Sequence, residues 1–207
     1  MAFYLFAGSV AAIVIIYGLT LWSWLTGKFK FWPPPNLHCW QYRTFWALFR
    51  IFVLCLIATG TVDFHGLGEP SLAQASIGLG LAIVGFAAAV SITLDLGWRT
   101  AHGDADQLKT TGAYAWSRNP IYVASVVGMA GTGLFVHSTL AYILLSLWAL
   151  GYLVVPFVEE VWLEDHFGDS FKLYKSRVNR FFGHRVCGPA IPDVSGGMRK
   201  DEVTCDD

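Results

Sequence analysis

Apolar and polar positions fall in long blocks along this chain. Runs from Phe3 to Leu25, Thr44 to Val62, Leu72 to Leu96, Ile121 to Val136 and Thr139 to Val158 are dominated by apolar residues. A helix needs about 20 such residues to cross the hydrocarbon core of a bilayer. The pattern therefore predicts about five transmembrane helices, and the short fourth run, joined to the fifth at His137 and Ser138, reads as one arm of a helical hairpin. From Glu159 onward the pattern changes: Leu163, Phe167, Phe171, Tyr174, Val178 and Phe181 recur at spacings of three and four, one face of an amphipathic helix. Lys172, Lys175 and Arg177 lie off that face, and Gly168 is a candidate break. The residues from about Pro189 are rich in Gly, Pro and Asp and read as a disordered tail, 189–207.

Composition supports a membrane chain. Apolar residues make up 55% and charged residues 14%, against roughly 25% charged in an ordinary soluble domain. The first run lacks a basic flank and is longer than a signal-peptide core, so it reads as a retained span. The 14 Lys and Arg residues set the expected orientation. The first loop has Lys28, Lys30 and Arg43, with Arg50 just inside the second span. The third loop has Arg99, Lys109 and Arg118, and all the others follow the fifth span. The second loop offers only Asp63, His65 and Glu69. The positive-inside rule then places the N-terminus outside and the C-terminus in the cytoplasm.

Smaller features fit this frame. Gly78, Gly80 and Gly85 in the third span, and Ala124, Gly128, Gly131 and Gly133 in the fourth, read as surfaces for close helix approach. Trp32-Pro33-Pro34-Pro35 reads as an extended interfacial connector, with Trp32 and Trp40 at headgroup depth. Cys39, Cys55, Cys187 and Cys205 show no metal or redox spacing, and Cys39 and Cys187 are expected to be thiols. Cys205 has two residues after it and forms no prenylation signal.

Three polar clusters carry candidate chemistry. In the first, Thr110 to Tyr122, Pro120 suits the first turn of the fourth helix, and Arg118 and Asn119 stand at its entrance. Open amides and the helix dipole there favour an anion, although a cap and charge anchor would look the same. In the second, Glu159 and Glu160 follow the fifth run, where adjacent carboxylates are costly without partners. The third is the basic amphipathic stretch from Phe167 to Phe181, suited to a membrane surface. A hairpin brings the first two clusters together. A pocket is then expected there, with the tail helix as its lid and an opening to lipid, suited to a zwitterionic, hydroxyl-rich cofactor.

Arg118-Asn119-Pro120-Ile121-Tyr122, then Glu159-Glu160, Leu163, Phe167-Gly168, Tyr174, Val178 and Arg180 resemble the membrane methyltransferases, which include isoprenylcysteine carboxyl methyltransferase and the phospholipid N-methyltransferases. The resemblance spans roughly Gly112 to Phe182. It implies S-adenosyl-L-methionine as methyl donor, bound on the cytoplasmic side, and a lipid or lipid-modified acceptor entering from the membrane. It implies a donor site built from Gly112, Tyr114, Arg118, Asn119, Pro120, Tyr122, Glu159, Glu160 and Tyr174. Arg118, Tyr122, Glu160 and Arg180 are the residues it implies at the reacting centre. Residues 1–98 are then three N-terminal spans and 99–188 the catalytic region. A carboxylate or thiolate acceptor needs no base, whereas an amine must lose a proton, for which His102 and His166 are candidates. Two other readings stay open at this level: a sterol-reductase-like enzyme using a nicotinamide cofactor, and a non-enzymatic transport subunit or lipid-binding scaffold.

Overall fold

A computed structural model describes residues 1–27, 29–34, 38–97, 100 and 108–183. It is all-helical among these residues. Six α-helices run Ala2–Thr26 (α1), Trp40–Val62 (α2), Leu72–Leu96 (α3), Pro120–Val136 (α4), Thr139–Phe167 (α5) and Asp169–Arg177 (α6), with a short 3-10 turn at Gly112–Ala115. Four of them, α1, α2, α3 and α5, are long and apolar enough to cross a membrane, while α4 is an apolar helix of 17 residues.

The helix ends follow local chemistry. Cys39, Ser71 and Ser138 accept bonds from the amides of Tyr42, Gln74 and Ala141, capping α2, α3 and α5. The Cys39 cap starts α2 at Trp40, one turn earlier than apolarity alone suggests. Pro120 sits in the first turn of α4, as expected. The helix α5 does not stop at Val158. It continues through Glu159 and Glu160 to Phe167 and ends at Gly168, whose φ of 56° favours glycine. The predicted amphipathic face is therefore divided. Leu163 and Phe167 lie on α5, Phe171 and Tyr174 on α6, and Val178 is extended, yet Phe171, Tyr174 and Val178 still form one buried cluster with Leu108, Leu163 and Phe167.

Two helix pairs organise the bundle. In one, α1 lies along α2, and Ser9 Oγ donates to Phe52 O at 3.1 Å. In the other, α3 and α4 meet backbone to backbone: a Cβ at Gly78 would lie 2.7 Å from Phe135 N, and one at Gly85 would lie 2.8 Å from Ala124 O. The main neighbour of α4 is thus α3. The helix α5 braces both pairs, and Tyr17 of α1 donates to Leu147 O at 2.6 Å. Ile13, Phe52, Met129 and Leu144 form the core between them. By contrast, α2 and α3 scarcely touch. At one end of the bundle, the α2–α3 loop docks on the α4–α5 turn. Ser138 bonds Asp63, and the amides of His65 and Leu67 donate to Val136 O and His137 O. The polar clusters gather at the other end, about 30 Å away along α5.

Candidate functional site

Where α4 begins and α5 nears its foot, the expected juxtaposition is present. Arg118 Nη2 lies 3.1 Å from Glu160 Oε1. Arg180 grips the same carboxylate with both ends of its fork, Nε to Oε1 at 2.8 Å and Nη2 to Oε2 at 2.7 Å. The Arg180 guanidinium also sits 3.8 Å over the ring of Phe157. Glu160 is 4% exposed, and so deep a carboxylate is tolerated only with partners of this quality. Its bonds in turn hold the Arg180 guanidinium above its ordinary pKa.

The segment after α6 is clasped to the entrance of α4 mainly through its backbone. Arg118 N donates to Asn179 O at 3.1 Å, and Asn119 Nδ2 and the buried Ser117 Oγ donate to Arg180 O at 3.1 and 3.3 Å. The Tyr174 hydroxyl donates to Tyr114 O at 2.6 Å. Arg118 and Asn119, read from sequence as an anion-facing entrance, are thus engaged with the tail.

Burial raises the pKa of both Tyr114 and Tyr174 well above the usual 10. The folded chain therefore keeps protons that the unfolded chain releases above about pH 10. This contribution is complete below that pH and is lost as the pH climbs further. Alkaline titration should show these tyrosines ionising together with release of the tail, followed by ultraviolet absorbance and proteolysis. Tyr174→Phe should cost about 1 kcal/mol in thermal unfolding, the net worth of one neutral hydrogen bond.

Beneath the clasp lies a cavity of about 560 Å³. Glu159, Tyr122, Arg118, Asn119, Tyr114 and Tyr174 line its polar end, and Phe49, Phe86 and Trp148 its deep apolar end. From Glu159 to Trp148 is eleven positions along α5, about 16 Å. The Glu159 carboxylate accepts from the Tyr122 hydroxyl at 2.8 and 2.9 Å and from Trp32 Nε1 at 2.8 Å.

The two glutamates therefore differ. Glu160 is consumed by arginines, whereas Glu159 is held by neutral donors and faces a void. Glu160 lines the cavity but Arg180 does not. Pro120 is buried in the first turn of α4. Gly112 opens the 3-10 turn with φ 64°, and a Cβ there would lie 3.3 Å from Asp95 Oδ2; neither residue lines the cavity. Of the histidines considered as bases, His102 lies outside the described residues, as do Cys187, Cys205 and the tail 189–207. His166 is exposed, stacks on Trp162 at 5.1 Å and does not line the cavity. Sequence reading missed Trp32 and Ser117. Nothing in their local pattern marks a tryptophan as anything but an interfacial anchor, or a serine as anything but a cap.

Residues 73–170 match the family described as phospholipid methyltransferase, consistent with a membrane methyltransferase family and with the resemblance read from the sequence. The match runs from the start of α3 to the start of α6. It includes Arg118, Tyr122, Glu159 and Glu160 but neither Trp32 nor Arg180. Neither the curated proteins nor the solved structures give a match. The reductase and scaffold readings gain no support.

Proposed function

We propose that this chain is an integral membrane methyltransferase that uses S-adenosyl-L-methionine to methylate a lipid or lipid-modified acceptor. The observation that carries the reading is the cavity, which joins a polar end at Glu159 to a deep apolar arm, within a chain matching a methyltransferase family. Its volume lies in the range of small-molecule sites, roughly 300–1,000 Å³. The residues present suit the donor. Glu159 offers acceptors for an ammonium or for ribose hydroxyls, and the rings of Phe45, Tyr122 and Tyr152 favour a cation. When bound, S-adenosylmethionine supplies a methyl group on a sulfonium, open to in-line displacement. The protein's own work is alignment and exclusion of water.

In this reading Tyr122 holds Glu159 in place, and Arg118, Glu160 and Arg180 lock the tail over the chamber. The clasp and α6 keep water out, and the arm lined by Phe49, Phe86 and Trp148 takes hydrocarbon. Glu159 is also placed to receive the proton of an amine acceptor, a step that a carboxylate or thiolate acceptor does not need. We further place five spans in the membrane, with the N-terminus outside and the basic loops in the cytoplasm. Residues 99–188 then supply most of the polar end of the site.

The test uses purified protein, labelled donor and total membrane lipid. Wild type should bind the donor and label a lipid-soluble product. Glu159→Gln should melt like wild type yet lower transfer by about 100-fold, the scale of a lost polar catalytic group. A wild-type protein that neither binds the donor nor transfers label ends this reading.

A further inference from the structure

The Glu159 carboxylate is held from two directions, and one of them comes from outside the region that matches the family. Tyr122 reaches it from α4. Trp32 reaches it from the loop between α1 and α2. A carboxylate has about four lone-pair sites. Trp32 occupies one, and the Tyr122 hydroxyl lies between the two oxygens, which leaves acceptor capacity turned to the cavity.

The geometry around Trp32 is that of a fixed donor. Its ring stacks on Phe45 at 4.2 Å with the planes 25° apart. The flanking Phe31, Pro33 and Pro34 are buried. The Phe31 amide donates to Ser23 Oγ at 2.9 Å, and that hydroxyl donates to Phe29 O at 2.6 Å, so the loop is fastened to the end of α1. Buried prolines need no amide partner, which lets the segment sit inside without unsatisfied donors. An indole serving only as a headgroup anchor would point its N–H to water. This one spends it on the carboxylate.

We infer that Trp32 is a positioning residue of the site: it fixes the Glu159 carboxylate for its ligand, so that the loop between α1 and α2 completes a carboxylate cradle whose other members, Tyr122 and Glu159, come from α4 and α5. This rests on the methyl-transfer reading above.

The experiment is a double-mutant cycle read in label transfer to total membrane lipid. Trp32→Phe keeps a ring against Phe45 and removes the N–H, and thermal unfolding confirms that the variant folds. Alone it should lower kcat/KM by about ten-fold or more, as expected for a lost hydrogen bond to a charged acceptor. In a Glu159→Gln background the same change should cost less than about three-fold, because the charged acceptor is gone. A purely structural role predicts equal losses in both backgrounds. Equal losses, or no loss in either, with active wild type, overturn the positioning role alone. Inactive wild type overturns the methyl-transfer reading and the role with it.

Discussion

Glu160→Ala is expected to be the most damaging single change at the site. It removes the carboxylate shared by Arg118 and Arg180 and leaves two guanidinium groups facing each other, with side chains 8% and 27% exposed. Breaking a buried ion pair by deleting one partner typically costs 3–5 kcal/mol. The partial exposure of Arg180 points to the lower part of that range, about 3 kcal/mol. The loss should appear as a lower unfolding midpoint in detergent and as early proteolysis of the segment after α6, because Arg180 anchors that segment. Glu160→Gln keeps the shape without the charge and should fall between wild type and Glu160→Ala. If Glu160→Ala melts like wild type, the three-residue lock has no structural weight.

The second large effect lies in the α3–α4 seam. A Cβ at Gly131 would stand 2.6 Å from Gly78 O and 2.7 Å from Leu81 C, both backbone atoms that cannot turn aside. Gly131→Ala should therefore push the two helices apart and destabilise the protein by about 3 kcal/mol, the upper range for overpacking. Gly80→Ala makes the same chemical change where nothing lies within 4 Å. It should be neutral or slightly stabilising, since alanine is the better helix former. Unfolding both variants by titration into a denaturing detergent compares them directly. Equal stabilities would mean the seam is not held by backbone contact.

These glycines also show how far the sequence could be read. Gly78, Gly80 and Gly85 look alike as a small-residue pattern, yet the first and last meet α4 while Gly80 faces outward. Spacing gives a helix its small face but not its partner. Similarly, the runs of apolar residues place α1 to α5 closely, because apolar length is a strong local signal. They do not reveal that α5 continues past two adjacent glutamates, since that depends on Arg118, Arg180, Tyr122 and Trp32 arriving from elsewhere. The meeting of Arg118 with Glu160 was legible because the short turn at His137 and Ser138 brings α5 back toward the start of α4. The division of labour between Glu159 and Glu160 was not, because adjacent identical side chains differ only in what the fold brings to each. Trp32 was hidden for the same reason: its partner is 127 positions away.

The scarcity of contact between α2 and α3 has a mechanical consequence. The α1–α2 and α3–α4 pairs are each tightly joined, and α5 lies along both like the spine of a book. Tilting the covers apart at the chamber end disturbs neither pair internally, with the bonds between the α2–α3 loop and the α4–α5 turn acting as the hinge at the far end. The girth of the chamber between α2 and α3 is therefore set more by the hinge and the spine than by direct contact across it.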